Sequence, residues 1–152
     1  MIELPPVTHC IVVPLPPAQA FDLFTAGIAR WWPFRSHSCA GDDALDVQFE
    51  PHVGGAVTEV DRQGRRHPWG VLTAWSPPHH FAMTWHPAQA PEMATALSVR
   101  FSAVEGGCEV ALEHGGWSVR GADAGPVRGS YEQGWALVLG RYAGQAAKEE
   151  QA

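Results

Sequence analysis

Histidine, tyrosine and cysteine are the residues of this chain that could move a proton or hold a polar group inside an apolar setting. His9 lies in the β-branched run "VTHCIVVPL" at the parity of Ile11 and Val13, and His114 ends "CEVALEH" at the parity of Val110 and Leu112. An imidazole on an apolar strand face can orient a carbonyl or hydroxyl, or act as a general acid–base. The competing reading is a structural histidine bonded to backbone or to a tyrosine. The eight histidines include no HExxH pair, and "HSC" at His37 to Cys39 is only a loop fragment, so neither a metal nor any other cofactor is expected. The three cysteines, Cys10, Cys39 and Cys108, are far apart with no CxxC, which suggests reduced thiols in a cytoplasmic protein. Cys108 has inward parity and no triad-like partner, so it reads as an inert buried thiol.

The elements that must position these groups are legible from periodicity. A first strand covers "VTHCIVVPL"; a short helix follows in "PPAQAFDLFTAG", with Pro17 suited to its first turn and Phe21, Phe24 and Ile28 at helical spacing. A second short helix carries "IARWW" before Pro33 ends it. From Leu45 the chain alternates as strands. Leu45, Val47 and Phe49 share one face of "LDVQFE", and Leu97, Val99 and Phe101 share one face of "ATALSVRFSAV". "DRQG", Pro77–Pro78 and "EGG" are turns, giving about six strands, antiparallel with one wet face. Val127, Tyr131, Trp135, Val138 and Tyr142 then form one stripe of a long helix, and "KEE" is a frayed end. Gly54–Gly55, Gly106–Gly107 and Gly115–Gly116 sit at strand ends and open no helix, so no phosphate loop is present.

The order is strand, two short helices, about six strands, long helix. That is an α+β helix-grip: a curved antiparallel sheet wrapped around the C-terminal helix, in a single domain over 1–152 with its core at about 7–145. Two adjacent tryptophans, Trp31 and Trp32, cannot both enter one small core from regular structure; Trp32 is expected to face inward over an opening and Trp31 to pack along the rim. A net charge of −6 without a Lys/Arg block argues against nucleic acid and against anionic membrane surfaces. No apolar run approaches the ~20 residues of a membrane span, and "MIELPPVTHC" has no basic region before a hydrophobic one.

The motifs "FDLFT…IARWW", the Gly54–Gly55 pair, "WGVL…PPHHFAMTW", "GGCEVALEHGGW" and "YEQGWALVL" together resemble the START-like (SRPBCC) superfamily. Within it they are most similar to bacterial single-domain homologues of the activator of the heat-shock-chaperone ATPase, over about Val7 to Tyr142. One departure stands out: His52 and Val53 precede the glycine pair where relatives usually place arginine and proline. The resemblance implies an apolar cavity between sheet and helix that holds a lipid-like or aromatic molecule. By position in the family pattern, Phe24 and Trp32 border its entrance. Phe49, Phe81, Met83, Trp85, Leu97, Phe101, Leu112 and His114 line the sheet side, and Tyr131 and Trp135 face them. Because the first and last strands are neighbours in that fold, His9 and His114 would form a buried pair opposite Tyr131.

These readings favour a carrier or sensor of a small hydrophobic molecule, monomeric or weakly dimeric, over an enzyme. Burying ~200 Å² of apolar ligand surface yields roughly 5 kcal/mol before association costs, micromolar-class binding at best without polar anchors. One alternative is a chaperone-linked protein-binding module with a stress-response role. The other is a cyclase, dehydratase or hydrolase using His9, His114 or Tyr131.

Overall fold

The computed structural model describes residues 3–151. Strand β1 (Val7–Val13) is followed by helix α1 (Pro17–Phe24) and a 3₁₀ turn, Ile28–Arg30. Strands β2 (Ala44–Phe49), β3 (Ala56–Asp61), β4 (Arg66–Ser76), β5 (His80–Trp85), β6 (Thr95–Val104) and β7 (Gly107–Gly115) come next. A 3₁₀ segment, Trp117–Asp123, then leads into helix α2 (Ala124–Glu150). The strands make one seven-stranded sheet in the order β1-β7-β6-β5-β4-β3-β2, every neighbouring pair antiparallel. The sheet curls around α2, the α+β helix-grip that the order of elements predicts.

Strand alternation decides which side meets the helix. Leu97, Val99 and Phe101 of β6 and Val110, Leu112 and His114 of β7 are all buried, while intervening residues reach solvent. The glycine-rich helix α2 is a poor helix on propensity alone; what holds it is the buried stripe of Trp135, Val138, Leu139, Tyr142 and Ala146. It stays helical to Glu150, where a frayed tail was expected, and Glu149 pairs there with Arg30 at 2.8 Å.

Two details depart from the periodic reading. Leu45 is 53% exposed, because the β2–β3 register shifts between Ala44 and Asp46 and turns Ala44 and Val47 inward instead. Trp31 is as buried as Trp32 rather than lying along the rim. The chain there is irregular: Trp31 ends the 3₁₀ turn with φ −138° and ψ −19°, so successive indoles reach different parts of the interior. Trp31 packs on Phe24 and Tyr142, with centroids 5.1 and 5.0 Å away, and its Nε1–H donates to the Leu23 carbonyl at 2.8 Å. No helix of the described residues is long and apolar enough to cross a membrane.

Candidate functional site: a tryptophan-walled cavity

The wedge between sheet and helix is filled at one end and open at the other. At the filled end Phe21, Phe24, Phe81, Phe101, Trp31 and Tyr142 pack edge-to-face and stacked, with centroids 4.9 to 6.4 Å apart. At the open end a cavity of about 220 Å³ remains, walled by the indoles of Trp32, Trp69, Trp85 and Trp135. Successive centroids around this cluster are 5.0 Å (Trp32–Trp69), 5.2 Å (Trp69–Trp85), 5.3 Å (Trp85–Trp135) and 5.9 Å (Trp135–Trp32).

Local irregularity aims the sheet's contribution. In the β3–β4 ladder Val57 faces Gly70 and Thr58 faces Pro68, which leaves Trp69 as the extra residue of a bulge and turns its ring inward. Gly70 is required beside it, since a Cβ there would lie 1.8 Å from the Thr84 carbonyl oxygen on β5.

The N–H of each of these four indoles is already spent. Trp32 donates to the His37 carbonyl (2.7 Å), Trp69 to Glu59 (3.0 Å), Trp85 to the Tyr131 hydroxyl (3.1 Å) and Trp135 to His114 Nδ1 (2.9 Å). The cavity is therefore offered apolar indole surface, with orientation fixed by bonds made elsewhere.

A strap over residues 33–40 completes the wall with Ser36, His37, Ser38 and Cys39. Its anchor is Glu59 of β3, a fully buried carboxylate. Oε1 accepts from the Cys39 amide (2.8 Å) and Trp69 Nε1, and Oε2 accepts from the Ala40 amide (2.8 Å). Among the described residues it has no ion-pair partner, so these three donors replace the water that its charge gave up. Burial and then the Glu59 charge push the Cys39 thiol up, keeping it a thiol rather than a nucleophilic thiolate.

His114 is fully buried between two partners that fix its tautomer. Nδ1 accepts from Trp135, so Nε2 carries the proton toward Thr95 Oγ1 at 2.6 Å, and Thr95 donates onward to the Trp85 carbonyl at 3.2 Å. Burial pushes its pKa down to about 3, so the ring is neutral at physiological pH with both nitrogens occupied. His9 stands apart. In the β1–β7 register it faces Leu112, while Val7 faces His114, and its Nε2 meets the Glu132 carbonyl of α2 at 3.1 Å.

Of the residues singled out from sequence, Trp32, Trp85, Tyr131 and Trp135 line the cavity. Phe24, Phe81 and Phe101 belong to the filled end, and Phe49 packs near Trp75 and Phe81, centroids 6.5 and 5.8 Å away. Met83, Leu97 and Leu112 are buried in the sheet face without bordering the cavity, and His114 braces it from behind. His52 and Val53 lie in an exposed turn. Trp69, Glu59 and the strap were not anticipated. Glu59 had a signal, an acidic residue at the parity of buried Val57, but Trp69 had none because its bulge breaks the alternation. Among the described residues no group of three or more His, Cys, Asp or Glu could hold a metal ion.

The model of the family "Activator of Hsp90 ATPase homolog 1-like protein" matches residues 14–143. No curated protein sequence matches the chain. Among solved structures, an anthrahydroquino-gamma-pyrone synthase, Txn09, is 31% identical over 93% of this chain and 97% of its own, with a TM-score of 0.63. The Aha1 dimer from Colwellia psychrerythraea is 18% identical over 91% of each chain with a TM-score of 0.63, and protein CV1439 from Chromobacterium violaceum is 18% identical over 92% of this chain and 96% of its own with a TM-score of 0.64. These two show the shared fold. With its START-like helix-grip architecture, this chain belongs to the Activator of Hsp90 ATPase homolog 1-like family.

Proposed function

We propose that the chain binds a small, flat, largely apolar molecule in the tryptophan-walled cavity, as a carrier or sensor. The observation that carries this reading is the commitment of all four indole N–H groups to protein acceptors, which leaves a rigid apolar enclosure beside an otherwise packed core. A cavity of about 150 Å³ holds a benzene; one of about 220 Å³ suits one to two fused rings, with further substituents emerging past the exposed Ser36 and Ala88. Three free thiols suit a reducing cytoplasm, and the uncovered edges of β1 and β2 allow at most weak pairing of copies in this reading. Native mass spectrometry of freshly purified protein, before and after collisional stripping, tests it. A discrete removable mass of an aromatic compound supports the reading. An apo protein that also takes up no bicyclic aromatic compound added in excess removes it.

A second reading, catalysis on such a ligand, is favoured by one observation: the 31% identity to Txn09, named an anthrahydroquino-gamma-pyrone synthase. In this chain it would proceed without His114, which is neutral and fully bonded, and without His9, which does not border the cavity. The chaperone-binding alternative rests on the family's name.

A further inference from the structure

The wall of the cavity is poor in uncommitted polar hydrogens. Ser38 Oγ donates to the Phe34 carbonyl and accepts from the Gly41 amide, and His37 Nδ1 is paired with Ser36 Oγ at 2.6 Å, leaving Nε2 at the half-buried rim near Gly134. Tyr131 differs. Its oxygen accepts from Trp85 Nε1 at 3.1 Å, and no acceptor lies within reach of its own hydroxyl proton among the described residues. A phenol holds one proton to give, and this one lines the cavity.

Trp117 lies against the Tyr131 ring, centroids 5.7 Å apart, and Arg120 follows three residues later on the same 3₁₀ segment. Arg120 Nε is buried without a hydrogen-bond partner, and the guanidinium pairs with no carboxylate among the described residues. Burial pushes the Tyr131 phenol up, against smaller downward pulls from the Trp85 hydrogen bond and then the Arg120 charge, so Tyr131 remains protonated.

Resting on the binding function above, we infer that the ligand is an oxygen-bearing aromatic, an aryl ketone or phenolate, whose oxygen accepts a hydrogen bond from the Tyr131 hydroxyl. The indoles select the ring, and Tyr131 selects the substituent and fixes which way the ring enters. A plain hydrocarbon of the same shape would leave that hydroxyl desolvated and unpaired, the kind of mismatch that discriminates most strongly in a buried site.

Calorimetric titration with 1-tetralone and with tetralin tests this, since the two differ by one carbonyl oxygen. The expected result is about tenfold tighter binding of the ketone, one net hydrogen bond. Tyr131→Phe should erase that preference, so that the variant binds the ketone and the hydrocarbon alike. Equal affinities of wild-type protein for ketone and hydrocarbon overturn the inference and leave the binding function standing; binding of neither overturns both. Should Tyr131→Phe also weaken tetralin, because Trp85 loses its acceptor, the wild-type comparison decides.

Discussion

The two ends of the wedge between sheet and helix use similar residues to opposite effect. The filled end is built from phenylalanines of α1, β5 and β6, which carry no polar atom and can turn until they interlock; its two polar aromatics send their hydrogens to α1, Trp31 to the Leu23 carbonyl and Tyr142 to the Ala20 carbonyl. At the open end four indoles are each held by a bond to a different partner, and none is free to collapse into the gap. The covering differs too. A helix closes the first end, and irregular chain tied down by Glu59 closes the second. A core becomes a cavity here through constraint on large side chains rather than through smaller ones.

Substitutions that exchange the properties of the two ends sharpen this contrast. Phe81→Ala at the filled end should cost about 3–5 kcal/mol in urea unfolding, a buried aromatic lost from a site that cannot relax. Glu59→Ala should cost about 3 kcal/mol by leaving buried donors unpaired. Its distinguishing effect is local: hydrogen exchange at the Cys39 and Ala40 amides should accelerate far more than at β6 or β7. A uniform change across the sheet would mean that the strap is not a separate unit.

The pH dependence comes from behind the open end. His114 has a folded-state pKa of about 3 against an ordinary 6.5, so between those values the unfolded chain binds one more proton than the folded one. Stability is therefore full above about pH 6.5 and falls as pH drops, by roughly 2 kcal/mol between pH 6.5 and pH 5. His114→Gln should lower stability at pH 7 yet flatten that slope, and an unchanged slope would place the titration elsewhere. The smallest effect is at Gly134, which borders the cavity with His37 as the near neighbour of a built Cβ, at 3.6 Å. Gly134→Ala should raise stability by up to about 1 kcal/mol through helix propensity while weakening a ligand that fills the space.

How far the sequence reaches follows the same division. The helix-grip was legible because β6, β7 and α2 are periodic, and periodicity reports a continuous buried face. The open end depends on breaks in periodicity: the bulge at Trp69, the irregular turn that buries both Trp31 and Trp32, and the 33–40 strap. His114 was readable as inward-facing, but its role depends on Thr95 and Trp135, partners 19 and 21 residues away whose contact only the folded register creates. Parity shows that a side chain is buried and leaves open whether it meets a cavity or a neighbour.

The claim that the open end is a ligand enclosure is tested most directly by filling it. Gly134→Leu keeps a good helix former in α2 and places a branched side chain where the cavity lies. Calorimetry with tetralin, a hydrocarbon that needs no polar handle, should show one site per wild-type chain and at least thirtyfold weaker binding to Gly134→Leu, with the unfolding midpoint of the variant equal or higher. Binding to the variant as tight as to the wild type, or no binding to the wild type, would contradict the account.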